Sequence, residues 1–245
     1  MSRYVIFLLL FLQQNPRAIV EEAQRRTTAQ SQRYEGTLRV IDPKNKVTEK
    51  RWVYDRTGSH GNSKAILRFT APAEVKGVAL LIINHPERSS DQWMWTPAYN
   101  RERRVAFQDR ATRFFGTDFS FEDLEERDTG QFDYKLLGEE MFDGAACWKL
   151  QSTPKQSKIS QYSYSYLWVR KDNYAFAQIE NYTKEQLVRR AHYTDIRNDQ
   201  GIWTAHQIDM HDLKRNSHTI LTIEKLQYNI AMKDEDFTLE ALRRE

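Results

Sequence analysis

The sequence predicts a mainly β protein with few helices, built around one antiparallel sheet that must curl or close on itself. From Tyr34 onward, apolar and polar residues alternate with a period of two in thirteen successive segments. Turn-forming pairs such as Asp42-Pro43 and Asp143-Gly144 separate these segments. No strand–helix–strand rhythm is present, which disfavours a parallel sheet, and so many strands rarely stay in one flat layer.

A helix is the first predicted element. Asn15 can cap free backbone N–H groups, and Pro16 is preset for a first helical turn. Ala18, Ile19 and Ala23 then form a thin apolar stripe, and a polar run continues to Gln32. We therefore expect an amphipathic helix in front of the first strand.

The predicted strands share period-two alternation and turn residues at their ends. They are residues 34–41, 47–56, 64–70, 78–84, 91–96, 103–108, 132–141, 145–153, 160–170, 175–183, 187–197, 202–212 and 219–232. No linker-like stretch divides them, so residues 15–245 are predicted to form a single domain after an N-terminal apolar segment of residues 1–14.

Residues 5–12 of that segment are all apolar. They are too few for a membrane-spanning helix, which needs about 20 apolar residues, but they suit the core of a secretory signal. Residues 13–18 contain no A-x-A-like cleavage site. An unusual signal peptide, an uncleaved anchor and the buried start of a helix all fit this pattern, and we favour export.

The charge balance disfavours nucleic acid as a partner. Lys and Arg number 37 against 34 Asp and Glu, and the two signs are interleaved along the chain. Cys147 is the one cysteine, so a disulfide within the chain is excluded and the thiol is expected to pack as a small hydrophobe.

The sequence carries no motif of a nucleophilic, phosphate-binding or metal-dependent enzyme. The closest approach to a metal cluster is at His206 and His211, which have opposite parity on a strand and would point to opposite faces. We therefore predict no catalytic residue, no metal, no cofactor and no enzymatic activity.

Several strands place their large apolar residues on one face. Residues 162–168 put every aromatic ring at the same parity, whereas residues 78–83 are apolar on both faces and should be covered from both sides. A curved sheet with few helices leaves some of this surface over. Surplus apolar surface indicates a ligand groove or a partner site.

Residues 114–126 interrupt the β pattern. Ser120 precedes Asp123 by three positions, which resembles a capping box and predicts a short helix fixed by Phe119 and Leu124. The acids that follow Phe121 would then lie in the first turns, where the helix dipole favours negative charge.

Residues 115–124, FGTDFSFEDL, closely resemble the GTDFSYEDL signature of the LolA-like outer membrane lipoprotein-sorting proteins. RFTAP at 68–72 with KGVALL at 76–81, and DQWMWTP at 91–97, resemble further elements of that family in the same order. Arg103 to Val105 fits its next basic strand, and Phe237 to Leu242 fits its closing helix.

The resemblance implies an incomplete (half) antiparallel β-barrel lidded by short α-helices, whose cavity holds the acyl chains of a lipoprotein or lipid in the periplasm. It also makes an inner-membrane transporter of the efflux type a candidate partner, and we expect a monomer. Residues sharing a face within each strand are the candidates to line the cavity: Trp52 and Tyr54, Leu67 and Phe69, Leu81 and Ile83, Trp93 and Trp95.

Two other functions remain open beside a carrier. The first is a periplasmic sensor or scaffold that binds lipoproteins in envelope-stress signalling. An appended second domain is expected for that role, and this chain ends at Glu245 without one. The second is a lipid-modifying enzyme, which the missing nucleophile–base motif disfavours.

Overall fold

A computed structural model describes residues 15–86 and 88–244. The apolar segment of residues 1–14, and with it the predicted signal, lies outside the described residues. Neither helix in the described part of the chain has the length and apolar character that crossing a bilayer requires.

The described residues form two α-helices and thirteen strands, in close agreement with the predicted order. The helices are α1 (Pro16–Thr27) and α2 (Leu239–Leu242). The strands are β1 (Ser31–Ile41), β2 (Val47–Ser59), β3 (Asn62–Ala71), β4 (Ala79–His85), β5 (Arg88–Thr96), β6 (Arg101–Arg104), β7 (Phe132–Phe142), β8 (Ala145–Pro154), β9 (Tyr164–Arg170), β10 (Phe176–Thr183), β11 (Gln186–Asp199), β12 (Ile202–Asp212) and β13 (Ser217–Tyr228).

All thirteen strands belong to one antiparallel sheet in the order β6-β5-β4-β3-β2-β1-β13-β12-β11-β10-β9-β8-β7. Pairing of β1 with β13 joins the two halves of the chain. Because β6 and β7 lie at opposite edges, the sheet is an open half-barrel, as predicted. Residues 105–131 connect those edges, and Phe114, Phe119 and Phe121 pack with α1 into the main core. We call the side of the sheet covered by α1 and this connection the inner face.

Strands β3 and β4 are covered on both sides, as their composition predicts. Leu67 and Leu80 are register partners and belong to the main core of the inner face. Ile66 and Leu81 are the next pair and pack on the outer face against Phe237 and helix α2. This second core explains why residues 78–83 carry no polar face.

Helix α1 is shorter than predicted. Asn15 caps it, with its side chain accepting a hydrogen bond of 3.0 Å from the backbone N–H of Arg17. The helix ends at Thr27, whose hydroxyl donates back to the carbonyl of Ala23 at 2.9 Å, and the chain then enters β1 at Ser31. The polar run up to Gln32 was therefore wrongly included in the helix.

The predicted helix after Ser120 is also wrong, although its capping bonds are present. The backbone N–H of Ser120 donates to Asp123 Oδ2 at 2.7 Å, and the N–H of Asp123 donates to Ser120 Oγ at 3.2 Å. Residues 121–124 form turns and not a helix. Three acids of this segment instead form ion pairs with distant basic side chains: Asp123 with Arg189, Glu125 with Arg110 and Lys158, and Glu126 with Arg56. These contacts hold the segment in a turn.

Candidate functional site

A cavity of about 230 Å³ lies on the inner face between helix α1, strands β9–β12 and residues 120–127. Its floor is a row of aliphatic side chains, one from each of four strands. Leu167 is the register partner of Ile179, Ile179 of Ala191, and Ala191 of Met210. Cross-strand partners point to the same face, so this row forms a continuous apolar strip.

The walls of the cavity are mixed. Val20 of α1 and the aromatic rings of Phe132, Tyr134, Phe176 and Tyr193 add apolar surface. Burial raises the pKa of Tyr193, and likewise that of Tyr134, to about 12, so both rings remain neutral at physiological pH.

Residues 120–127 form the roof, which we call the acidic segment. Asp123, at its centre, accepts a hydrogen bond of 2.7 Å from the hydroxyl of Tyr162 and one of 3.2 Å from Nη1 of Arg189. Arg189 Nη1 also donates to the Tyr162 oxygen at 2.8 Å. Burial, the largest cause, raises the pKa of Tyr162 well above 10. This triad ties the roof to β11.

Glu125 and Glu126 have separate basic partners. Glu125 pairs with Arg110 and, at 3.1 Å, with Lys158, and the three side chains are almost completely buried. Glu126 pairs with Arg56 of β2 and accepts from the backbone N–H of Gly61 at 2.7 Å. Removing one member of a buried pair leaves an uncompensated charge, so each pair holds the roof in place.

Glu122 has no ion-pair partner among the described residues. It accepts hydrogen bonds from the hydroxyl of Ser160 and from the backbone N–H of Gln161, the second at 2.9 Å. Burial raises the pKa of Glu122, and these hydrogen bonds only partly oppose that shift. Glu122 is thus the acid of the roof whose charge is least compensated.

Arg127 supplies a cation inside the cavity. Its Nη2 donates to Ser165 Oγ and Asn181 Oδ1, each at 3.0 Å. Its Nη1 is buried and has no hydrogen-bond partner among the described residues. The Arg127 carbonyl accepts from Gln24 Nε2 of α1 at 2.7 Å, which links the helix to the roof. The cavity therefore combines an apolar floor with buried polar groups that have no hydrogen-bond partner among the described residues, namely Arg127 Nη1 and the Tyr134 hydroxyl.

The eight candidates from the sequence fall into two groups. Trp52, Leu67 and Phe69 belong to the inner core, with Tyr54 packed against it. Leu81, Ile83, Trp93 and Trp95 lie on the outer face in the cluster that includes α2. None of the eight is among the residues that line the cavity. Contact between a lipid ligand and these eight residues stays a prediction.

The aromatic run of residues 162–168 also divides. Tyr166 and Trp168 pack on the outer face with buried Cys147, where the thiol fills space as expected. Leu167 lies between them in sequence and faces the cavity. The same alternation therefore places Leu167, which lies between two outward-facing aromatic residues, on the inner face as part of the cavity floor.

The opposed parity of His206 and His211 is confirmed. His206 is buried at the same parity as Met210 and its Nε2 lies 2.8 Å from Asp199 Oδ2. His211 lies on the outer face, 3.1 Å from Asp209.

Comparison with known proteins identifies a matching family and shows which solved structures share the fold. Residues 61–244 match a family model that carries the description "Uncharacterized protein". A DUF1329 family protein from Desulfovibrio piger has a similar structure, with a TM-score of 0.88 and 27% identity over 93% of this chain and 97% of that chain. No curated protein matches the sequence.

Two further solved structures share the fold. A putative outer membrane lipoprotein-sorting protein domain from Vibrio parahaemolyticus gives a TM-score of 0.88 at 22% identity, covering 94% of this chain and 98% of that one. A LolA superfamily protein from Nitrosomonas europaea gives a TM-score of 0.73 at 23% identity, covering 92% and 98%. The fold is a LolA-like half-barrel. The chain belongs to the family whose model matches residues 61–244.

Proposed function

We propose that the protein is a periplasmic carrier that shields the acyl chains of a lipoprotein or lipid during transfer toward the outer membrane. The observation that carries this proposal is the apolar row of Leu167, Ile179, Ala191 and Met210 beneath a roof held by ion pairs. The resemblance of residues 115–124 to lipoprotein-sorting proteins, and the likeness to the Vibrio domain of that name, support it.

Shielding an acyl chain requires a dry surface, because each methylene removed from water contributes about 0.8 kcal/mol. The present cavity of about 230 Å³ is smaller than the roughly 300–1,000 Å³ of typical ligand pockets. An acyl chain therefore enters only when α1 or the acidic segment moves away from the floor. The acidic segment is held by polar contacts, which water can replace during opening, whereas α1 also packs Ile19, Val20 and Ala23 into the main core.

Arg127 gives the cavity a polar anchor. Its buried Nη1 lacks a partner in the described structure and can donate to the ester carbonyl or the anionic headgroup of a lipid. An amphiphile would thus lie with its acyl chain along the floor and its polar group near Arg127. In this proposal the protein transforms no substrate, and it acts as an exported monomer that receives cargo from an inner-membrane transporter.

The test is displacement of a fluorescent fatty acid from the purified protein. We expect Ala191→Leu to fold normally and to bind the probe about tenfold more weakly, since the added carbons exclude roughly two methylenes of ligand at about 0.8 kcal/mol each. The matched control is Ala205→Leu on the neighbouring strand β12, at the parity of the outer face. It should bind like the wild type.

Native mass spectrometry of protein purified from the periplasm should in addition show bound lipid. The carrier function would be refuted if the wild-type protein neither binds the fluorescent fatty acid nor carries lipid after purification. Equal affinities of Ala191→Leu and the wild type would remove this cavity from the proposed site.

A further inference from the structure

Three side chains of types that commonly bind metal ions, Asp209, His211 and His218, meet on the outer face of the sheet, away from the cavity. Asp209 and His211 are two residues apart on β12 and therefore share a face. His218 of β13 is the register partner of His211. The antiparallel pairing of the two strands thus assembles a cluster that no single strand shows.

The donor atoms lie close together. His211 Nε2 is 3.1 Å from Asp209 Oδ2, and His218 Nδ1 is 3.4 Å from Asp209 Oδ1. The two imidazole rings are 4.7 Å apart between centroids, and ligand atoms of all three residues lie within 4.8 Å of one another. Ligands of a tetrahedral zinc ion, at about 2.0–2.2 Å from the metal, are separated by about 3.4 Å. Small rotations of the imidazole rings bring the donors to that spacing.

Asp209 also has unused binding capacity. Its Oδ1 is buried and accepts no hydrogen bond from the described residues. A buried carboxylate oxygen whose contact with His218 Nδ1, at 3.4 Å, is not a hydrogen bond is poorly satisfied, and a metal ion would complete its bonding.

The neighbouring charges on the outer face are already paired. Arg190 of β11 is the register partner of His211, but its Nε donates to Glu180 at 2.9 Å. His192 is the register partner of Asp209, and its Nε2 contacts Asp143. Among the described residues, the Asp209 carboxylate therefore contacts the imidazoles of His211 and His218 and neither the Arg190 nor the His192 side chain.

We propose, in contrast to the sequence-based prediction of no metal, that Asp209, His211 and His218 bind one divalent transition-metal ion, with zinc the expected occupant and copper or nickel as competitors. Imidazole and carboxylate ligands suit these ions. Three protein ligands leave at least one coordination position for water or for a ligand from another molecule. The ion would join β12 to β13 on the side of the sheet opposite the proposed lipid cavity.

The first experiment is isothermal titration of tag-free protein with zinc chloride at pH 7.5. We expect one ion per chain in the wild type, and binding at least tenfold weaker in His211→Gln and His218→Gln. Both histidines are half-exposed, so the variants should keep the wild-type circular dichroism spectrum. His206→Gln is the matched control, because this histidine lies on the same strand but on the inner face, and it should bind zinc like the wild type.

The second experiment is thermal unfolding with and without zinc. An ion that binds only the folded state raises the unfolding temperature, and this rise should be lost in His211→Gln and His218→Gln but kept in His206→Gln. No titration heat and no rise in unfolding temperature at about 1 mM zinc would overturn the proposal, since binding at that concentration must stabilise the fold. Equal binding by wild type, His211→Gln and His218→Gln would overturn it as well.

Discussion

Asp118 and Thr219 bond to each other in both directions across 101 residues of sequence. The backbone N–H of Asp118 donates to Thr219 Oγ1 at 2.9 Å, and that hydroxyl donates to Asp118 Oδ2 at 2.7 Å. Ser217 and Arg113 also donate to the carboxylate, at 2.5 and 3.0 Å. Asp118 belongs to the segment that resembles the family signature, and its contacts show a structural role: it fastens the crossing connection to β13.

Asp118→Ala should therefore lower the free energy of unfolding by about 2–4 kcal/mol, because it removes the acceptor of the buried Ser217 and Thr219 hydroxyls and the ion-pair partner of Arg113. Urea denaturation followed by tryptophan fluorescence measures this loss. The control is Asp133→Ala on the exposed side of β7, which should change stability by no more than about 0.5 kcal/mol. Equal stability of the two variants would contradict the structural role of Asp118.

Leu81 separates stability from ligand binding. The side chain is 1% exposed and packs on the outer face in the cluster that includes α2. We expect Leu81→Ala to cost about 2–5 kcal/mol of stability, through lost burial and the cavity left behind. Glutamate at this position should prevent folding.

Folded Leu81→Ala protein should bind the fluorescent fatty acid with the wild-type affinity, because Leu81 lies on the other side of the sheet from the cavity. A folded variant that binds the probe much more weakly would instead place Leu81 in the lipid site.

Glu122 should make the fold less stable as the pH rises. Its pKa is raised above 4.5 by burial, so the folded protein holds the proton more tightly than the unfolded chain does. Its favourable contribution is therefore fully present below pH 4.5 and is lost as the pH rises through the folded-state pKa. Glu122→Gln removes this loss and keeps a side-chain oxygen as acceptor.

The measurement is the free energy of unfolding of both proteins from pH 4 to pH 8. The variant should gain stability over the wild type as the pH rises, and the difference should level off above the folded-state pKa of Glu122. A constant difference across this range would show that Glu122 has the same pKa in the folded and unfolded states.

Glycine is required at position 36, where β1 pairs closely with β13. A Cβ atom built at this position would lie 1.8 Å from the carbonyl oxygen of Thr222, and the register of the two strands shifts there. Gly36→Ala should therefore separate the strands that join the two halves of the sheet, with a loss above about 3 kcal/mol or no folded protein. Gly144→Ala is the control, because a Cβ atom at Gly144 would meet no neighbour within 4 Å. Its positive φ of 74° favours glycine, so this substitution should also lower stability, but by less than Gly36→Ala does. A Gly36→Ala protein more stable than Gly144→Ala would contradict this account.

Local sequence determined the strands, the amphipathic helix and which residues share a face within each strand. Period-two alternation is a property of neighbouring residues, so it predicts Leu81 and Ile83 on one face without knowledge of the fold. The resemblance of residues 115–124 added the half-barrel. The double coverage of residues 78–83 also followed from composition alone.

Tertiary structure decided how those faces combine. Leu81 pairs with Ile66 and not with Leu67, so candidates that share a face within their own strands lie on opposite sides of the sheet. Asp123 and Arg189, 66 residues apart, meet only because the connection from β6 to β7 crosses the inner face, and that contact replaces the predicted helix by a turn. His211 and His218 meet through strand pairing. Register and chain path depend on the packing of distant segments, and alternation within one segment carries no information about either.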